Sequence, residues 1–599
     1  MNNLLYTIMK KQLVWLVLLS AFFAGCEKLD QAPVATATKE AVFTSERGLE
    51  LYANSFYDVL PSANDVHRGD AMADYSARTQ VPDFLRAGAF GPRESSGWNW
   101  GELRNINYFI ANNNDPAISP AVRSHYMGLA RFFRAWFYFD KVKRFGDVPW
   151  ISTPMAVDDP ALYNGRDPRA LVMDSVLADL DYACENISTT GDDSRSLITK
   201  YVAYAFKSRV CLYEGTYRKY HTELQLGSTA EAWLQEAVSA SEKVMQESGF
   251  RLNTAGGPDN AYRQLFTSQG PVASEVMLAA VVDPALSVFN DANWWWTSST
   301  YGARVSLIRT FVNTYMNIDG TPFTDTPGYQ TMVFAEEVKG RDRRLEQTIR
   351  TGDYKRINGG TAVPAPPVFS YTYTGYQPIK WTLDDTYFDG GSRNTNSIPI
   401  IRYAEVLLNY AEAKAELGTF TDEDWVMTVG ALRQRAGITG GLEAKPQAAD
   451  PYLQANYFPS ISDPALLEVR RERGIELALE GFRFDDIVRW ERGELMEMVW
   501  NGFYVPALNQ PLDLNEDGVP DVSFYKKMPA DPVPGVTYVN VAETLSGGNQ
   551  NPQQLSEDTH GELTWLANIP RVWDDKYYLY PIPETDRLLN PALGQNPGW

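Results

Sequence analysis

Three groups of side chains in this 599-residue sequence have the types and spacing to do chemistry. Glu472, Glu476 and Glu480 recur at i, i+4 and i+8, which places them on one face of a helix. Two carboxylates about 5 to 9 Å apart across an open cleft can cut a glycosidic bond. Arg470, Arg471, Arg473, Arg483 and Arg489 crowd the same stretch. A carboxylate ringed by guanidinium groups is held ionised and makes a poor proton donor, so this face favours a salt-bridge network over a glycosidase pair.

The second group is Trp294, Trp295 and Trp296, with Asn290, Asp291, Asn293 and Tyr301 close by. A sugar lays its C–H face on an aromatic ring and needs polar partners for its hydroxyls, so a saccharide site wants both kinds of side chain together. Three adjacent tryptophans can also pin a loop to a core. Asp65, Arg68, Asp70, Asp74 and Tyr75, running on to Trp98, repeat the mixture in a stretch without regular patterning. The candidate ligand contacts are therefore Asn293, Trp294, Trp295, Trp296 and Tyr301 in one segment, and Arg68, Asp70, Tyr75 and Trp98 in the other.

The third group is a nine-residue acidic turn. Asp513, Asn515, Asp517 and Asp521 supply side-chain oxygens at positions 1, 3, 5 and 9 of a calcium loop, with the Val519 carbonyl at position 7 and Gly518 at the sharp turn. Phe524 stands at position 12, where an EF-hand carries its bidentate Glu, and no flanking helix pair is evident. The turn is compatible with a structural Ca²⁺ or with a solvated acidic loop; no cofactor is required.

Composition narrows the function classes. Lys+Arg of 54 against Asp+Glu of 75 leaves a formal charge of -21, which repels phosphate backbones and excludes nucleic acid as a partner. Four histidines and three cysteines, without a tight cluster in the sequence, argue against a zinc site or a Cys/His nucleophile pair. There is no nucleophile elbow, phosphate loop or HExxH pair, so the expectation is not an enzyme.

The N-terminus carries an export signal. Lys10 and Lys11 precede an apolar run from Leu13 to Phe23 that closes on Ala24, Gly25 and Cys26, the pattern of a lipoprotein signal peptide. The run is shorter than the roughly 20 residues that cross a bilayer. The expected organisation is a signal peptide over 1–25, a tether over 26–40 beginning at an acylated Cys26, and one domain over 41–599. Acyl chains on Cys26 would supply more than the two signals that stable anchoring needs. Cys184 and Cys211 then remain, as two core thiols or, in an exported protein, a disulfide.

The elements that must position these residues are mostly helices. Apolar residues recur at helical spacing over Phe43 to Leu60, Trp100 to Asn112, Val122 to Phe145, Leu171 to Asn186, Thr199 to Tyr217 and Ala230 to Glu247. They do so again over Tyr403 to Leu417, Asp424 to Ala436 and Ala465 to Arg492. From about Phe250 to Ile398, and again from about Trp500 to Tyr580, short β-branched and aromatic runs alternate with Gly- and Pro-rich turns. The fold class is mainly α, with loop excursions of the kind on which binding surfaces sit.

Several longer motifs stand in a fixed order. They are Arg134-Ala-Trp-Phe-Tyr-Phe-Asp-Lys-Val-Lys-Arg-Phe-Gly-Asp-Val-Pro149, then Arg402 to Lys414, Leu432 to Gly437 and Arg470 to Trp490. The end follows with Tyr580-Pro-Ile-Pro583, Asn590-Pro591 and Gln595-Asn-Pro-Gly-Trp599. In this order the chain resembles the SusD/RagB family of outer-membrane nutrient-binding lipoproteins over essentially its whole mature length. The resemblance implies TPR-like helix pairs supporting a loop-rich binding face, with an N-terminal part over about 41–320 and a C-terminal part over about 321–599. It also implies a place on the outer surface beside a SusC-like TonB-dependent transporter that takes up glycans. A peptide-capturing RagB-like receptor and a surface glycoside hydrolase are the alternatives.

Overall fold

Local signals start and stop the long helices. In the computed structural model, which describes residues 39–599, α1 is Gly101–Asn112 and α2 is Pro120–Phe145. The Ser119 side chain accepts from the Val122 amide at 3.4 Å, and Pro120 sits in the first turn where no amide donor is needed. α3 is Arg169–Asn186, α4 is Lys200–Tyr220, opened by Thr199 accepting from Val202 at 3.2 Å, and α5 is Ala230–Glu247. Strands β1, Val276–Ala280, and β2, Ile398–Arg402, pair antiparallel and lead into α6, Tyr403–Glu416. α7, Pro464–Glu476, is capped by Asp463, and α8 is Arg483–Arg489.

Each helix packs on its sequence neighbours: α1 on α2, α2 on α3, α3 on α4, and α4 on α5. α6 then lies against α4, α5 and α7. The main hydrophobic core runs through this array and out into the loops, from Phe43 to Leu593, with two smaller clusters around α6. Cys184 and Cys211 are buried in it as free thiols.

Three expected helices are broken. Ser45 caps Glu46–Ala53 by accepting from the Gly48 amide, so the stretch from Phe43 to Leu60 divides around it, and a 3₁₀ turn follows over Asn54–Val59. The segment from Asp424 contains a π turn, Val426–Gly430, between Asp422–Trp425 and Ala431–Arg435. The long stretch from Ala465 to Arg492 is two helices, because Leu479 and Gly481 adopt φ of 67° and 86°. At Gly481 the Cα of Gly69 approaches so closely that a Cβ on Gly69 would lie 2.6 Å from it.

The amides released at that break find partners from far away in sequence. Leu479 N donates to the Tyr75 hydroxyl at 2.9 Å, and Gly481 N and Arg483 N donate to the Asp70 carboxylate at 3.0 and 3.1 Å. Around the end of α7 lies a buried ionic network. Glu476 meets Arg402 at 2.6 Å, Arg344 at 2.9 Å, and Arg435; Glu480 meets Arg402 and Lys380, each at 2.7 Å. Glu480 thus reaches the same network although the helix ends at Glu476. The terminal tail is docked: Asn596 Nδ2 donates to the Phe145 and Tyr580 carbonyls, and the Trp599 indole donates to those of Lys576 and Leu579.

Candidate functional site

The short helix Ala292–Thr297 turns the three tryptophans in different directions. Trp295 and Trp296 point into the core, at 7% and 5% exposure, while Trp294 stays half-buried. Beyond the helix, the Ser298 hydroxyl accepts from the Thr300 and Tyr301 amides and folds the chain back. Gly302 permits that return: a Cβ there would lie 2.2 Å from the Trp295 carbonyl oxygen. Tyr301 then stacks on Trp294, with ring centroids 3.8 Å apart and planes 17° from parallel.

Arg68 arrives at this pair from the other segment. It follows the short helix Ala63–His67, whose capping box uses Ser62 and Asp65. Its Nη2 donates to the Asp291 carboxylate and to the Tyr301 hydroxyl at 3.2 Å, and that hydroxyl donates to Asp291 at 2.8 Å. His67 Nε2 stands 3.3 Å from the same carboxylate. Burial pushes the Asp291 carboxyl up, but its contacts with His67, Arg68 and Tyr301 outweigh that and hold it well below the usual range. Asp291 is therefore a fixed anion. Arg68 keeps 28% of its side chain exposed, and its Nη1 has no protein partner among the described residues.

A second aromatic pair stands on the other side of the 298–304 loop. Tyr373 stacks on Trp565 at 3.8 Å and 12°, and the Trp565 indole is fixed by donating to the Arg78 carbonyl at 2.8 Å. Arg304 Nη1 donates to the Tyr373 hydroxyl at 3.2 Å, and the Thr79 amide donates to the Ala303 carbonyl at 2.9 Å. The loop between Trp294 and Arg304 thus carries aromatic faces with guanidinium groups beside them. Tyr373 and Trp565 are far apart in sequence, so no local pattern announces their pairing, and Tyr373 is itself 7% exposed.

With this geometry in hand, comparison with known proteins decides the family. A model of the SusD family matches residues 286–599, more than half of the chain, and a model described as starch-binding associating with outer membrane matches 103–212. The chain belongs to the SusD family. SusD-like protein P2 of Formosa agariphila is 25% identical over 525 residues, covering 81% of this chain and 92% of that protein. The fold is shared with a SusD-like protein of Bacteroides fragilis at a TM-score of 0.66 and 21% identity, over 95% of this chain and 100% of that one. A SusD-like carbohydrate binding protein of the same organism also gives 0.66, at 20% identity, over 92% and 100%. The helix array is accordingly the TPR-like frame of a SusD protein.

Not every candidate residue of this SusD-family chain lies where a ligand can reach it. Asp70 and Tyr75 are 2% and 1% exposed and hold the break between α7 and α8. Asn293 is fully buried, bonded to the Leu383 carbonyl and to Asp389, and Asp74 is buried against Arg483. Asp70, Tyr75, Asn293, Trp295 and Trp296 therefore leave the expected contact set: burial spends their polar or aromatic surface inside the fold. Trp98 is half-buried and lines a different groove, of about 550 Å³, with Trp100, Leu103, Ile151, Met155 and Leu589.

The acidic turn is largely self-satisfied. Asp513 accepts from the Gly518 amide at 2.8 Å, Asp517 from Val519 at 2.9 Å and Asp521 from Leu514 at 2.8 Å, while Asn515 donates to Asp517 at 3.1 Å. Phe524 is a core residue of a strand, and the carboxylates of the turn do not converge on a common point. Glu476 is held well below the usual carboxylate range: burial raises it, and Arg435, Arg402 and Arg344 more than reverse that. Neither it nor Glu472, 0% and 1% exposed, faces a cleft. Cys26 and the signal and tether segments up to residue 38 lie outside the described residues. Among those described, no helix is long and apolar enough to cross a membrane.

Proposed function

We propose that this SusD-family chain captures a glycan on the face carrying Trp294, Tyr301 and Arg68, without cleaving it. From there it passes the glycan to a SusC-like TonB-dependent outer-membrane transporter. Acyl chains on Cys26 hold it at the outer surface in this reading. The observation that carries the proposal is the half-exposed Trp294–Tyr301 stack beside the fixed Arg68–Asp291 pair. An aromatic platform accepts the C–H face of a pyranose, and the unpartnered Arg68 Nη1, held in place by the buried Asp291, supplies a donor for its hydroxyls. The carbohydrate-binding description of a fold neighbour, and the starch-binding description of the second family model, support the same ligand class.

Isothermal titration against a panel of soluble polysaccharides tests the proposal, with a mixed peptide pool run in parallel. At least one glycan binds, and Trp294→Ala weakens it about tenfold or more, the loss expected of a central aromatic anchor. Labelled oligosaccharide incubated with the protein stays intact. Capture of peptides with no glycan bound, or an affinity untouched by both Trp294→Ala and Arg68→Ala, refutes the assignment.

A further inference from the structure

Away from that face, the C-terminal ends of α4 and α8 meet beside the docked tail. His221 follows α4 directly and is fully buried, its ring stacked on Tyr217 at 3.8 Å and 15°. Its Nε2 lies 2.7 Å from the Val488 carbonyl oxygen. A carbonyl only accepts, so Nε2 carries the ring hydrogen and the neutral ring presents the bare lone pair of Nδ1. That lone pair faces Glu223 Oε1 at 3.1 Å. In the neutral ring, Nδ1 and Oε1 are two acceptors side by side.

Glu491, just past α8, completes the group: ligand atoms of His221, Glu223 and Glu491 lie within 4.8 Å of one another. Among the described residues no other set of three His, Cys, Asp or Glu side chains does this. Cations around the cluster are engaged elsewhere, Arg492 with Glu494, Arg169 with Glu214, and Lys576 near Asp574 at 3.9 Å. Both glutamates border a cavity of about 850 Å³ whose wall includes Gln595 to Gly598 of the tail, so an ion has a route in.

The geometry points to a divalent transition-metal site at His221, Glu223 and Glu491, of the kind that takes Zn²⁺. One neutral imidazole nitrogen with two carboxylates suits zinc, whereas calcium asks for oxygen ligands alone. The hydrogen bond from Nε2 to Val488 is the outer-shell contact that fixes tautomer and ring orientation in metal-binding histidines. Ligands of a tetrahedral zinc lie about 3.3 Å apart for bonds of about 2 Å, which the two exposed glutamate side chains reach by rotation. The bound ion would replace the contact between two acceptors and tie the turns after α4 and α8 together next to the tail.

The test is titration of the chelator-treated protein with Zn²⁺ against a chromophoric competitor, and with Co²⁺ to record the ligand-field bands. One equivalent binds, and Glu223→Gln and Glu491→Gln each weaken it about tenfold or more, as losses from a metal's coordination environment do. Both side chains are exposed, so both variants fold; His221→Gln, which removes a buried stacked ring, is a supplement only. In the wild type Zn²⁺ raises the thermal midpoint, and in the doubly substituted protein it does not. Absence of a zinc equivalent, or affinity unchanged in both glutamine variants, overturns the site.

Discussion

Neighbouring residues of one chemical type do different work here, and burial decides which. Trp294 and Trp295 are adjacent, yet one half-faces solvent on Tyr301 and the other is 7% exposed in the core. Trp294→Ala should therefore reduce glycan affinity while leaving the thermal midpoint nearly unchanged. Trp295→Ala should cost about 3 to 5 kcal/mol of stability, the range for removing a buried aromatic ring, and shows as a lowered midpoint in thermal unfolding. Glu476 belongs with Trp295. Glu476→Gln leaves Arg344, Arg402 and Arg435 without their shared anion, a loss of about 3 to 5 kcal/mol that chemical denaturation would register.

At the level of elements, several helices are opened by local caps, but one break is set by distant partners that take over the freed amides. The break between α7 and α8 depends on a left-handed Gly481 and on Asp70, which comes from the N-terminal part of the chain. Gly481→Ala places a Cβ at φ of 86° and should destabilise by about 1 to 2 kcal/mol. The increase would appear as faster proteolysis at the α7–α8 turn. The helices themselves were legible from periodicity and caps, and α5 has the bounds its pattern predicts. The breaks were not, because a pattern of apolar residues does not report which amides a remote Asp or Tyr will satisfy.

For the whole molecule, pH sensitivity follows from the buried ion pairs. Burial pushes the Glu412 carboxyl up, but Arg489, with Arg473 and Arg470, brings it from the ordinary 4.5 down to about 2. Because the folded value is depressed, this pairing stabilises fully above pH 4.5 and is lost as pH falls toward 2. Denaturation midpoints followed downward from neutral pH should hold until about pH 5 and then fall steeply, by a few kcal/mol from this group alone. The tail is a second whole-molecule feature. Truncation before Gln595 removes the Asn596 and Trp599 bonds to Phe145, Tyr580, Lys576 and Leu579, and should lower the thermal midpoint.

Composition, helical spacing and the ordered motifs from Arg134 to Trp599 were enough by themselves to determine a mainly helical SusD-family chain. Those signals are local, or repeat in a family's order, and need no knowledge of where loops travel. Tertiary structure alone decided the character of each polar candidate. Arg68 reaches the surface cluster while Asp70, two residues on, disappears beneath α8; Tyr373 meets Trp565 across a long stretch of chain; and His221 finds Glu491. The physical reason is that side-chain exposure and pairing between remote segments depend on how irregular loops close over the core. No periodicity in the chain encodes those paths.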